Sequence, residues 1–171
     1  NKHYRYYTFE HFLETQRQLG IHHIELWGGT PHVWIDAYEA DDGVEMKKVV
    51  SSYGLEIAAF MPEFSSFRYS LGISKAPGHR RSMEYLKRCA HYTAQLETEY
   101  MLLELNGYRM DGNFARQWDQ LLQTIRSIGT ISVQEGIKAA IYTDIHDGTN
   151  LINSNERLRS VMNTVHNPII C

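Results

Sequence analysis

Carboxylates, imidazoles and aromatic rings recur at four places in this chain of 171 residues, each at the end of a short apolar run. Trp27, Gly28, Gly29 and His32 follow the first run, and Glu63, Arg68 and Tyr69 the second. Glu104, Asn106 and Tyr108 mark the third; Tyr142, Asp144, His146 and Asp147 mark the fourth. Aromatic faces cover C–H groups, while carboxylates and imidazoles bind hydroxyls and move protons. That mixture suits a polar small molecule such as a sugar. Trp27, His32, Glu63 and Tyr69 are the candidate substrate-binding residues, and no group stands out as catalytic.

Each feature also has a plainer reading. Gly28-Gly29 reads as a turn, since no third glycine completes a dinucleotide fingerprint. Trp27 can be a rim packing residue, His32 a loop cap, and Glu63 a solvated loop end. Glu104 lies inside an apolar strand, where a lone carboxylate is costly unless paired, so a partner arginine competes with a catalytic role. Asp144, His146 and Asp147 resemble a cation site, but one short loop rarely supplies a whole metal shell. No nucleophile motif and no phosphate-cradling loop is present.

The elements that position these residues follow from the pattern. Apolar runs at 22–27, 56–61, 100–105 and 138–142 read as strands, and a fifth starts at Pro168-Ile169-Ile170-Cys171. Strands near-apolar throughout and spaced by helices read as parallel strands covered on both faces. Gly20, Gly54 and Gly136 stand before the first, second and fourth runs, where a left-handed residue ends a helix. Helices are predicted from Thr8 to Leu19, from Asp41 or Asp42 to near Gly54, and from about His79 to Leu96. Two more run from about Phe114 to Glu135, with Gly129 as an interruption, and from Asn155 to Val165 behind a Ser154 cap. The long segment from Pro62 to Gly78 has the length of a functional lid. The fold class is therefore α/β, with parallel strands in sequential order and helices outside.

Bulk properties narrow the function. Hydrophobic content of 43% and charged content of 22% are ordinary for a globular protein. A net charge of −3 gives no reason to expect nucleic acid or an anionic membrane as partner. No apolar run approaches the roughly 20 residues that span a bilayer. Cys89 and Cys171 form neither a disulfide framework nor a metal spacing, which suits a reducing cytoplasm. A homo-oligomer stays open. A closed eight-fold barrel typically needs about 250 residues, so the chain reads as a single partial-barrel domain over 1–171, cut at both ends.

At Ile24-Glu25-Leu26-Trp27-Gly28-Gly29-Thr30-Pro31-His32 the chain resembles the sugar isomerase/epimerase superfamily, the xylose isomerase-like TIM barrels. Within it, the fructoselysine 3-epimerase-like branch is the nearest likeness. Pro62-Glu63, Phe67-Arg68-Tyr69, Arg80-Arg81-Ser82 and Asn167-Pro168 continue that likeness in order. The resemblance implies a (β/α)8 barrel with a divalent metal, Mn or Mg, at its mouth. It implies proton transfer next to a carbonyl of a small sugar, through a metal-held enediolate. The five runs would be strands two to six. Where the family carries a metal-binding glutamate on strand five, this chain has Tyr142, which cannot replace a carboxylate at a hard metal near neutral pH. Asp144 is the nearest substitute. The family's metal site is therefore doubtful in this chain, and a sugar-binding relative without the reaction, or an inactive fragment, is the alternative. A DNA-repair endonuclease barrel of the same superfamily is disfavoured by the lack of basic excess and of a histidine-rich cluster.

Overall fold

The computed structural model describes residues 1–37, 42–64, 69, 71, 78–105, 108–142 and 150–171. Four strands form one parallel sheet in the order β1-β2-β3-β4: β1 (His23–Gly28), β2 (Glu56–Pro62), β3 (Tyr100–Glu104) and β4 (Lys138–Tyr142). Between and around them run α1 (Phe9–Gln18), α2 (Asp42–Ser52), α3 (Gly78–Gln95), α4 (Phe114–Glu135) and α5 (Asn155–Val165). The fifth run continues the sheet. Ile169 and Cys171 carbonyls accept from the Ala139 and Ile141 amides at 3.0 and 2.8 Å, and Cys171 N–H returns a bond to Ala139 at 3.0 Å. The architecture is a partial α/β barrel with parallel strands in sequential order.

The helix ends show why these segments stop where they do. Thr8 and Ser154 accept from the amides of His11 and Arg157, and so cap α1 and α5. Gly20, Gly54 and Gly136 have φ of +71°, +72° and +71°, the left-handed region that closes a helix before a strand. The joint before β3 carries no glycine. Glu97 takes the left-handed role there, with φ +53°, and its carboxylate pairs with Lys47.

One side of the sheet is packed on the helices. Leu26, Phe60, Met101, Leu103, Ala139 and Ile141 are buried there against Leu86, Cys89, Leu121, Ile125 and Ile128. A satellite core of Phe12, Leu13, Ile24, Val50 and Leu55 lies under α1 and α2. The expectation of cover on both faces fails for β1 and β2. Along β1 burial alternates: His23 and Glu25 are exposed while Ile24 and Leu26 are buried. The helices bury only every second residue, and the opposite side is the concave face of the barrel wall. No helix among the described residues is long and apolar enough to cross a membrane.

Gly129 does not interrupt α4, which is continuous from Phe114 to Glu135. Its place is one of close approach. A Cβ at 129 would lie 2.3 Å from Asn167 Nδ2 and 3.7 Å from Ile170 Cγ1. Asn167 is held in turn, because its Oδ1 accepts from the Ile169 amide at 3.0 Å. Replacing Gly129→Ala should therefore destabilise the protein by about 1 kcal/mol. Overpacking costs about 1–3 kcal/mol, and the better helix propensity of alanine returns about 1. Chemical denaturation measures this; an unchanged or higher midpoint would mean that Asn167 swings away freely.

Candidate functional site

The carboxyl ends of the strands hold the candidate residues. Trp27 is the last side chain of β1, and Glu63 is the first residue beyond β2. Pairing places Trp27 opposite Met61 and Gly28 opposite Pro62, so Glu63 emerges one step above the indole. The Trp27 Nε1–H donates to Glu63 Oε2 at 2.9 Å. An indole nitrogen is a donor only, so the carboxylate is held as its acceptor.

His32 joins this pair through Asn1. The Trp27 amide donates to Asn1 Oδ1 at 2.7 Å, which sets the orientation of the Asn1 amide. Its Nδ2 therefore donates to the Trp27 carbonyl at 3.3 Å and to His32 Nδ1 at 3.2 Å. The other ring nitrogen, Nε2, meets the Tyr7 carbonyl at 2.8 Å, where only an N–H can bond. The contacts select the tautomer with hydrogen on Nε2. Lys2 Nζ lies 5.7 Å from the Trp27 ring centroid, so Asn1 and Lys2 both stand beside Trp27.

Tyr69 belongs to a second cluster. Its hydroxyl donates to Asp36 in the short 3₁₀ turn Ile35–Ala37, and Arg88 of α3 donates to the other Asp36 oxygen. The Tyr69 ring stacks on Tyr85 at 4.1 Å with the planes 3° apart. Burial, and then the neighbouring Cys89, pushes the Tyr85 hydroxyl pKa up, and burial pushes the Cys89 thiol up as well. Both stay protonated and inert. The structure thus bonds Trp27, His32 and Glu63 together, and ties Tyr69 to Asp36, Arg88 and Tyr85.

On the other side of the mouth, Glu104 ends β3 opposite Tyr142 at the end of β4. Glu104 is 9% exposed, whereas Tyr142 is 50% exposed. Arg68, Asn106, Asp144, His146 and Asp147 lie outside the described residues. Among the described residues, no three of His, Cys, Asp and Glu come together as a metal shell. Those donors alone do not fit the divalent ion that the fold family implies.

Sequence reasoning missed two participants. Asn1 and Asp36 act through contacts 26 and 52 positions away in sequence, to Trp27 and Arg88 respectively, and no local pattern marks them. Gly29 has a stronger role than a turn. A Cβ there would sit 2.0 Å from Trp27 Cζ2 and 2.1 Å from Cη2, so the indole lies directly on its backbone. The paired glycines after a tryptophan were the available signal.

The family model described as xylose isomerase-like TIM barrel matches residues 13–170. The chain belongs to that family. A curated relative, fructoselysine 3-epimerase of Escherichia coli O157:H7, is 23% identical over 121 residues, 70% of this chain and 43% of the relative. The crystal structure of D-psicose 3-epimerase in the presence of D-fructose superposes with a TM-score of 0.78 at 16% identity, covering 96% of this chain and 56% of that one. A xylose isomerase-like TIM barrel protein from Mycobacterium smegmatis in complex with magnesium gives 0.69 at 14% identity, over 92% of this chain and 53% of that one. The chain therefore spans about half the length of these proteins, and the structural likenesses show the fold.

Replacing Gly29→Ala should push the Trp27 ring off the backbone and break its bond to Glu63. The expected readout is a red-shifted tryptophan emission with loss of near-ultraviolet dichroism, and a stability loss of about 1–3 kcal/mol. Wild-type spectra would mean that the 28–30 backbone yields instead of the indole.

Proposed function

We propose that this chain carries the sugar-binding mouth of a sugar isomerase/epimerase-type protein, whose reaction class is proton transfer at a carbon next to a carbonyl. The single observation that supports the reading is the Trp27–Glu63 pair at the mouth. An indole face beside a carboxylate offers an apolar surface for sugar C–H groups and an acceptor for a hydroxyl, with His32 and Asn1 within the same bonded group. Tyr69 contributes through the neighbouring cluster on Asp36. Membership of the xylose isomerase-like family, and the 3-epimerase names of its relatives, agree with a small ketose as ligand.

A second reading is supported by Tyr142. It stands half exposed at the end of β4, where the resemblance places a metal-binding glutamate. On this reading the chain binds the sugar without turning it over. The loop with Asp144, His146 and Asp147 decides whether Mn²⁺ or Mg²⁺ finds enough oxygen ligands.

Calorimetric titration with D-fructose tests the proposal. Saturable binding is expected, with Glu63→Gln weakening it about tenfold through loss of a charge-assisted hydrogen bond. Absence of binding, or unchanged affinity in Glu63→Gln, would overturn the placement of the sugar. Incubation in D₂O separates the two readings. The Tyr142 substitution predicts no deuterium at carbon 3 and no stoichiometric Mn²⁺ binding by this chain alone. Incorporation would establish the reaction.

A further inference from the structure

Both backbone groups of Trp27 are held by one side chain. Among the described residues β1 pairs with β2 alone. The Trp27 backbone bonds instead to the Asn1 carboxamide, which stands in for a neighbouring peptide. Its Oδ1 accepts from the Trp27 amide at 2.7 Å, and its Nδ2 donates to the Trp27 carbonyl at 3.3 Å. The second Nδ2 hydrogen goes to His32 Nδ1 at 3.2 Å. One carboxamide therefore joins the His32 ring to the residue whose indole donates to Glu63 at 2.9 Å.

That junction works in one protonation state only. His32 Nδ1 must offer a lone pair to the Asn1 NH₂. A protonated ring carries hydrogen on both nitrogens, which sets Nδ1–H against NH₂, donor against donor. Turning the carboxamide over moves the conflict to the Trp27 amide, which needs an acceptor. The ring is held from its other side, because the Tyr7 carbonyl takes Nε2–H at 2.8 Å in both states. An imidazole is the side chain whose charge ordinarily changes between pH 5 and 8. The charged and titratable neighbours come from four places. The Asn1 amino group and Lys2 precede α1, and His11 of α1 stacks on Tyr7 at 4.9 Å. Glu25 of β1 acts on the Asn1 amino group, and Glu63 beyond β2 holds the indole. The Phe9 ring, 5.5 Å from the imidazole, adds no charge.

We propose that Asn1 is the positioning residue of the Trp27–Glu63 site, and that its hold on Trp27 requires a neutral His32. For its effect on ligand the inference rests on the reading of this mouth as a sugar site. His32 then serves the sugar through Asn1 rather than by touching it, since its two ring nitrogens are engaged by Asn1 and Tyr7. The sign follows from the donor count. The neutral ring prevails at higher pH, where the carboxamide bonds to Trp27 and His32 together. As pH falls and the ring takes up a proton, one bond of the carboxamide is lost, the Trp27 backbone is released, and the indole leaves its place on Glu63.

The test follows the Trp27 indole N–H resonance from pH 8 to pH 5 without ligand, beside D-fructose titrations at both ends of that range. In the wild type the resonance should move, and affinity should fall about two- to tenfold towards pH 5, the effect of one lost hydrogen bond. His32→Gln should abolish both changes. It leaves in place His11, Glu63 and the Asn1 amino group, whose pKa burial lowers against the pull of Glu25. Asn1→Asp should reverse the slope, because a carboxylate accepts from the Trp27 amide and from a protonated His32 alike, so affinity should rise as pH falls. A merely structural role for Asn1 would instead weaken binding equally at every pH. A wild-type resonance that does not move, a pH dependence that persists in His32→Gln, or an unreversed slope in Asn1→Asp would overturn the proposal. If the wild type binds no D-fructose at any pH, the sugar reading fails, and the resonance in the three proteins still decides the role of Asn1.

Discussion

The phase of β1 against β2 is the constraint on which the mouth depends. The pairing runs from His23 opposite Glu56 to Ile24 opposite Ile57 and then jumps to Glu25 opposite Ala59, so one extra residue is taken up on β2. In a strand, side chains alternate between faces, and a one-residue slip would exchange the two sets. The irregularity puts Phe60 opposite Leu26, both fully buried on the helix side. It puts Met61 beside Trp27 and lets Glu63 follow on the indole's side. Without that extra residue, Phe60 would share a face with Trp27, and a fully buried ring would be lost from the core. Burying one such side chain is worth about 1.5–3 kcal/mol, which is enough to hold the register that the site uses.

The fold was legible in the chain because its signals are local. Apolar runs of strand length, amphipathic helices and left-handed glycines at three joints lie within a few residues of what they determine. The bulge in β2 was not legible, since nothing in Ile57-Ala58-Ala59 distinguishes an extra residue from a regular one until the partner strand is in place. Glu97 was hidden for a similar reason: a non-glycine residue at φ +53° gives no compositional cue. Gly129 was misread because glycine inside a helix signals a break, whereas here it admits Asn167 from elsewhere in the chain.

Legibility of the site was divided in the same way. Trp27, His32 and Glu63 could be found from their place after strands, and the structure bonds them into one group. Tyr69 also follows a strand, but its ring meets Tyr85 and its hydroxyl meets Asp36, so its contacts depend on the arrival of α3. Asn1 has no local signature at all, yet it sets the His32 tautomer and brackets the Trp27 backbone. On the β3–β4 side, Glu104 and Tyr142 could likewise be found from their place at the strand ends, where the sheet sets them opposite each other. Family membership explains the scaffold, and Tyr142 stands where the resemblance places a metal-binding glutamate.

The central claim is that a sugar sits against Trp27 at the carboxyl ends of the strands. The indole N–H resonance of Trp27, assigned with Trp27→Phe, reports this directly during titration with D-fructose. The account predicts a saturable shift of that resonance together with the amides of residues 28–32 and Glu63. A saturable shift confined to the opposite rim, around Glu97, Glu99 and Gly136, or no shift at all, would contradict it.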